Sequence, residues 1–257
     1  MADLEQVTME KTLRRKYVVS SYDVDPLGKA RLTAIANYLQ ETAYVHAGKL
    51  GLGYDDLAAN GTAWILARMK IRVMERPDWD DELTVETWPR GLEKIFALRD
   101  FRISDRAGRE VAEATTCWLM VNTLTRRPLR IPSDYLAFEP RTDAVFDQTP
   151  GKISLPDGMA FCERRQVKYS DLDVVGHVNN VRFIEWCSDA LGTDLLTGHF
   201  ISGFRINYIS EARPGDEVEI TCSGKQSTEI FLSGKNITAD RECFRAFCSL
   251  AKTENTV

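Results

Sequence analysis

Asp23-Val-Asp-Pro-Leu-Gly-Lys-Ala30 and Asp171-Leu-Asp-Val-Val-Gly-His-Val178 lie 148 residues apart and share the pattern D-[VL]-D-x-x-G-[KH]-[AV]. A repeat at this distance in a 257-residue chain makes the molecule a duplication and sets its architecture before any single motif is weighed. Each copy follows a short strand-like stretch, Lys16 to Ser20 in the first half and Gln166 to Tyr169 in the second. Each copy also leads into an apolar stripe at helical spacing. Ile35, Leu39 and Ala43 carry it in the first half, where the helix runs from about Ala34 to Gly48. Phe183, Ile184, Cys187 and Leu191 carry it in the second, where Gly192 marks the stop.

Four strand signals follow each helix. They are Ile65 to Val73, Glu82 to Thr87, Phe96 to Ser104 and Val111 to Asn122, then Phe204 to Ile209, Glu217 to Cys222, Ile230 to Asn236 and Cys243 to Ala251. Their short connections predict an antiparallel meander. A sheet with one apolar face must cover it, and the long helix of each unit is the element available. The chain therefore divides into units at residues 1–128 and 160–257, each an α+β unit of one helix on one curved sheet, and the two units should pair. Between them, residues 129–159 lack sustained periodicity. Five of the nine prolines, Pro128, Pro132, Pro140, Pro150 and Pro156, fall within 29 residues at and just before this segment, which reads as a long connector crossing from one unit to the other.

Composition narrows function. A net charge of -5 provides no field for a polyanion, so nucleic-acid binding has no electrostatic support. The longest apolar runs fall well short of the roughly 20 residues of a membrane-spanning helix. Met1 to Lys11 carries acids where a secretory signal carries a basic region, so a cytoplasmic protein is expected. The six cysteines are scattered without a C-x-x-C or a nearby histidine, and reduced, buried thiols are expected rather than a metal site.

Three histidines are present, and His177 alone lies in the repeated loop, just ahead of a helix whose first N–H groups lack intrahelical partners. Asp173, four residues earlier, is placed to accept a hydrogen bond from the ring and set its tautomer. Asn179 and Asn180 add amide groups beside it. Aligning the turn prolines, Met74-Glu-Arg-Pro77 with Glu211-Ala-Arg-Pro214, puts Met74 opposite Glu211. The first half then carries Lys29 and Met74 where the second carries His177 and Glu211, which implies one working site per chain. The helix from Ala34 to Gly48, with Trp64, Met69, Met74 and Trp88, supplies large apolar surface without a catalytic partner, suited to walling a substrate channel.

Tyr169-Ser-Asp-Leu-Asp-Val-Val-Gly-His-Val-Asn-Asn-Val-Arg-Phe-Ile-Glu-Trp186 resembles the loop-and-helix motif of plant and bacterial acyl-carrier-protein thioesterases, close to D-x-N-x-H-V-N-N-x-x-Y. Trp88-Pro-Arg-Gly91, Leu98-Arg-Asp-Phe101, Ala114 to Asn122 and Thr125 to Pro132 are similar, in that order, to the family's N-terminal unit, and Ile206 to Glu211 to its L-D-Y-R-R-E segment. The resemblance covers roughly Lys11 to Thr253. It implies two hotdog units in tandem, a catalytic set of Asp173, His177 and Glu211, hydrolysis of fatty acyl carrier thioesters without metal or cofactor, and an acidic carrier protein as partner. Substrate contacts are expected from Asn179, Asn180, Trp64, Met69 and Met74. Val175 stands where the family has Asn. That Asn is dispensable, or Asn179 replaces it, or activity is reduced.

For carrier docking, Arg126, Arg127 and Arg130, or Arg164, Arg165 and Lys168, are the candidate basic clusters. A homodimer is left open. Two other readings compete: a hotdog dehydratase or hydratase acting on 3-hydroxyacyl or enoyl chains, and a non-catalytic acyl-thioester or lipid-binding module.

Overall fold

The computed structural model describes residues 12–132, 141 and 143–253. The acidic stretch Met1 to Lys11 and part of the connector, residues 133–140 and 142, lie outside the described residues.

The first unit runs β1 (Leu13–Val18), α1 (Leu32–Lys49), α2 (Tyr54–Ala59), β2 (Thr62–Val73), β3 (Glu82–Glu93), β4 (Phe96–Ser104) and β5 (Glu110–Asn122). The second runs β6 (Ala160–Gln166), α3 (Asn180–Leu191), α4 (Thr193–Gly198), β7 (His199–Tyr208), β8 (Glu217–Cys222), β9 (Glu229–Asn236) and β10 (Arg241–Lys252). The expected helices and meanders are present. The short α2 and α4 were not foreseen, because a six-residue helix is too brief to establish a period.

The units do not keep separate sheets. All ten strands form one antiparallel sheet in the order β1-β3-β4-β5-β2-β7-β10-β9-β8-β6, closed at its centre by β2 against β7, from Arg68 opposite Asn207 to Arg72 opposite Gly203. Read outward from that seam, the two halves have the same strand order, so a pseudo-twofold axis passes between β2 and β7. Each half is the expected hotdog unit, and the pairing of two such units takes place within one chain.

Strand alternation buries one face against the helices, as in β8, where Val218, Ile220 and Cys222 point inward. Ile35 and Leu39 of α1 and Phe183 and Ile184 of α3 join Val85, Phe101, Ile206 and Phe244 in one continuous core. The helices also touch one another. The core thus spans both units, as a face-to-face pairing requires.

The opposite face is crossed by the connector. Val145 N donates to Asp100 Oδ2 at 3.1 Å, Arg68 Nη1 to the Pro150 carbonyl at 2.9 Å, Ile153 N to Asn207 Oδ1 at 2.7 Å, and Arg245 Nη1 to the Ile153 carbonyl at 3.3 Å. Phe146 is buried beneath the cations of Lys70 and Arg72. The described part of the connector therefore runs from the first unit over the central seam onto the second.

The cysteine expectation fails at one pair. Cys162 and Cys222 form a disulfide, because β6 and β8 are neighbours and bring their Cα atoms to 6.2 Å. The other four cysteines are buried free thiols. No helix among the described residues is long and apolar enough to cross a membrane.

Candidate active site

The repeated loops have the same internal architecture. In the second unit Asp173 Oδ1 accepts the N–H of Val175 at 3.0 Å and that of His177 at 3.4 Å. In the first, Asp25 Oδ1 accepts those of Leu27 at 2.9 Å and Lys29 at 3.1 Å. Gly176 and Gly28 stand at φ +76° and +72°, where a Cβ would be strained, and each N–H donates to the Asp carbonyl. One local code thus builds both loops, and it fixes the backbone from which Lys29 and His177 project.

That architecture corrects the role expected for Asp173. Its carboxylate takes backbone N–H groups and shapes the loop, and no contact with the His177 ring is present. The ring faces Glu211 instead, with Nε2 3.3 Å from Oε2. Glu211 follows β7 and is delivered to this point by the backbone: Ile209 and Ser210 N–H both donate to the Cys243 carbonyl, and Ala212 O accepts the N–H of Val178. The same Glu211 oxygen lies 2.7 Å from Arg126 Nη1 and 3.8 Å from Arg213 Nη2, and Arg241 Nη2 donates to the Glu211 carbonyl at 3.1 Å. Both partners of the His177 and Glu211 pair are partly open to solvent.

The proline alignment proves misleading. In the first unit it is Met74 and Glu75 whose N–H groups share the Val111 carbonyl, so they match Ile209 and Ser210, and Glu211 stands opposite Arg76, not Met74. Arg76 pairs with Asp25. Lys29 pairs with Asp78, Nζ to Oδ1 at 2.7 Å. The first unit has therefore replaced an imidazole and carboxylate pair by two ion pairs that close its loop.

An apolar cavity of about 640 Å³ opens beside the second loop. The far wall comes from the first unit, including Ala43, Ala47, Leu57, Trp64 and Trp118, and the rim from Asp173, Val174, Val175, Asn179 and Asn180 of the second. The site is thus composite: the loop of one unit meets the helix and strand ends of the other. Trp64, Asn179 and Asn180 line the cavity. Met69 does not, being buried in the core against the sheet seam, and Met74 is exposed on the surface; neither reaches the cavity. Tertiary direction decides both, since adjacent strand residues face opposite sides.

Asn179 caps α3, its Oδ1 accepting the Val181 N–H at 2.9 Å, and its carbonyl takes the Arg182 N–H. Among the described residues this leaves the Asn180 N–H as the unclaimed donor of the first turn, at the cavity rim. Arg99, also in the wall, lies 2.8 Å from His46 Nδ1, and burial brings its guanidinium down to about 10. Burial pushes the thiols of Cys117 and Cys248 up, to about 11 and about 12, and also holds that of Cys187 well above the usual thiol range. Such thiols stay protonated near neutrality and are poor nucleophiles.

A second cavity of about 990 Å³ sits at the pseudo-equivalent place, between the Asp25 loop and the C-terminal end of α3. It is lined by charged side chains, among them Arg31, Arg76, Glu163, Arg165, Arg182 and Asp189. The two places differ in chemistry: the cavity at the Asp25 loop is lined largely by charged side chains, the one at the Asp173 loop chiefly by apolar ones.

Residues 10–138 match the family model of the acyl-ACP thioesterase N-terminal domain and residues 156–253 that of the C-terminal domain. The chain is 32% identical over 211 residues to a palmitoyl-acyl carrier protein thioesterase of Gossypium hirsutum, covering 77% of this chain and 51% of that protein. It is 32% identical over 224 residues to an oleoyl-acyl carrier protein thioesterase of Coriandrum sativum, covering 80% and 61%. The chain spans about half to two thirds of the length of these curated relatives. An acyl-ACP thioesterase structure from Bacteroides thetaiotaomicron superposes with a TM-score of 0.86 at 25% identity, over 94% of this chain and 98% of that one. A 12:0-ACP thioesterase from Umbellularia californica shares the fold, with a TM-score of 0.81 at 22% identity over 95% and 98%.

Proposed function

The chain belongs to the acyl-ACP thioesterase family, and from that premise we propose that it hydrolyses fatty acyl carrier-protein thioesters, with His177 and Glu211 at the reacting centre. The observation that carries this reading is the 3.3 Å contact of the imidazole with the carboxylate, His177 standing on the loop whose Asp173, Val174 and Val175 rim an apolar cavity that neither His177 nor Glu211 itself lines.

The acyl chain lies in the 640 Å³ cavity, which removes its methylenes from water. Its thioester carbonyl then sits at the rim, near the Asn180 N–H. Glu211 takes a proton from a water, whose oxygen bonds to the carbonyl carbon. The negative charge that develops on the carbonyl oxygen is met by the Asn180 N–H at the helix start, a preorganised donor that needs no reorientation. His177 orients the carboxylate and donates a hydrogen bond to the reacting groups. The tetrahedral intermediate collapses with rupture of the C–S bond, and the proton held by Glu211 passes to the leaving sulfur. Products are a fatty acid and the carrier thiol. Asp173 contributes by holding the loop that aims His177. Every step uses groups of one chain, so the reading needs no second copy and no metal.

Val175, half-exposed on the rim, cannot supply the amide that the family has at its position. Asn179 lines the same rim with its oxygen committed to capping, so only its NH₂ is left to stand in. For carrier docking, Arg164 is paired with Glu219, and Arg165 with Glu163 and Asp189, so of the cluster with Lys168 two cations are partly neutralised, which favours the other cluster. Arg127 and Arg130 are exposed near the mouth-side turn and are the cations we assign to the acidic carrier. A cytoplasmic location belongs to the same proposal and is tested by cell fractionation.

The experiment is thiol release from a panel of acyl carriers of different chain length, with identification of the acid. Release of enoyl absorbance from 3-hydroxyacyl carriers without free thiol would assign a dehydratase instead. Saturable binding with no turnover would leave a binding module.

A further inference from the structure

Glu211 is held from two units at once. His177, from its own unit, and Arg126, from the other, meet the same atom, Oε2, at 3.3 and 2.7 Å. Among the described residues the side-chain hydrogen bond to this carboxylate goes to Oε2, and none is made to Oε1. Arg126 comes from the turn that follows β5, and that turn is pinned. Asn122 Oδ1 accepts the N–H groups of Leu124 at 3.1 Å and Thr125 at 2.8 Å, the Asn122 carbonyl accepts that of Arg126 at 2.8 Å, and Asn122 N donates to the Arg127 carbonyl at 3.0 Å. Arg126 itself stands at φ +56°, a left-handed conformation that costs an L residue with a Cβ on the order of 1 kcal/mol or more. Glycine would occupy that position without strain. A long-range docking charge needs no such fixed backbone, whereas a guanidinium that must reach one oxygen of a partly buried carboxylate does.

We infer that Arg126 is a positioning residue of the site, which clamps Oε2 of Glu211 from the neighbouring unit and thereby turns Oε1 toward the attacking water. This rests on the reading of Glu211 as the base. It gives the first unit a part in the chemistry beyond walling the cavity, and it explains why the guanidinium lies against Glu211 when the paired Arg213 reaches only 3.8 Å.

The test is Arg126→Gln and Arg126→Lys in the full chain, assayed on an acyl carrier and on an acyl thioester of a small thiol that lacks the carrier. The expected result for Arg126→Gln is a kcat lower by about 10- to 100-fold on both substrates, with KM within about twofold, as for a displaced catalytic group. Arg126→Lys, which keeps a cation within reach of the carboxylate, should recover part of the lost kcat. A change confined to KM for the acyl carrier, with the small thioester unaffected, would make Arg126 a docking charge and overturn the inference, as would an unchanged kcat. A wild-type chain inactive on both thioesters would overturn the hydrolase reading and this inference together.

Discussion

Replacing Glu211 by Gln isolates the base from its scaffold. The amide keeps the size of the carboxylate and an oxygen that can still accept from Arg126, but it cannot take a proton from water. The structural cost is small. The Arg126 and Glu211 side chains are 57% and 33% exposed, and an ion pair that open contributes about 0 to 1 kcal/mol. For a chain of this length that is a shift of at most about 4 °C in Tm. Loss of general-base catalysis, by contrast, is worth about 10²- to 10⁴-fold in rate. Expected, therefore, is a variant that melts close to the wild type and still binds acyl carrier, with kcat reduced by at least about 100-fold. Stopped assays of free thiol, run beside thermal melts of the same preparation, separate the two quantities. A Glu211→Gln enzyme within about threefold of wild-type kcat would refute the assignment of the base; a collapse of Tm would show that the carboxylate is chiefly structural.

Three further outcomes follow from the same geometry. Ala47→Phe, on the α1 wall of the cavity, should shift preference toward shorter acyl chains, because each methylene excluded forfeits about 0.8 kcal/mol of burial; kcat/KM across a chain-length panel measures it, and an unchanged profile would place the acyl chain elsewhere. Arg76→Ala removes the partner of Asp25 in a pair only 12% and 18% exposed. It should lower Tm by several degrees while leaving kcat within about threefold, since this loop is the unit's non-reacting copy. Glu113, buried beside Arg72, is raised in pKa by its burial. The folded state thus holds that proton more tightly than the unfolded chain, so its contribution is present below the ordinary carboxylate range and is lost as pH rises through the folded value. The Tm of Glu113→Gln relative to wild type should accordingly grow between pH 4 and pH 7, and a flat difference would contradict the sign.

What could be read from the chain alone was local. The eight-residue loop carries its own instructions: an Asp that caps backbone N–H groups two and four residues on, and a Gly where φ must be positive. That is why the duplication, the helix that follows each copy and the position of His177 were all legible. Strand and helix periods extended the reading to the hotdog units, because burial on one face leaves its mark on every second or every third to fourth residue.

What the fold decided were the meetings between distant segments. The turns after β2 and β7 span equal numbers of residues, yet their prolines fall at different places within them. The sequence match therefore slipped, and only the shared carbonyls of Val111 and Cys243 show that Arg76, not Met74, faces the position of Glu211. Arg126 and Glu211 are 85 residues apart, and Cys162 and Cys222 are 60 apart. Neither pair has any period or spacing to announce it, because a contact across strands depends on sheet order and register. Side-chain direction was equally out of reach for Met69 and Asp173: a residue's neighbours in sequence set its conformation, but the opposite wall determines what it touches.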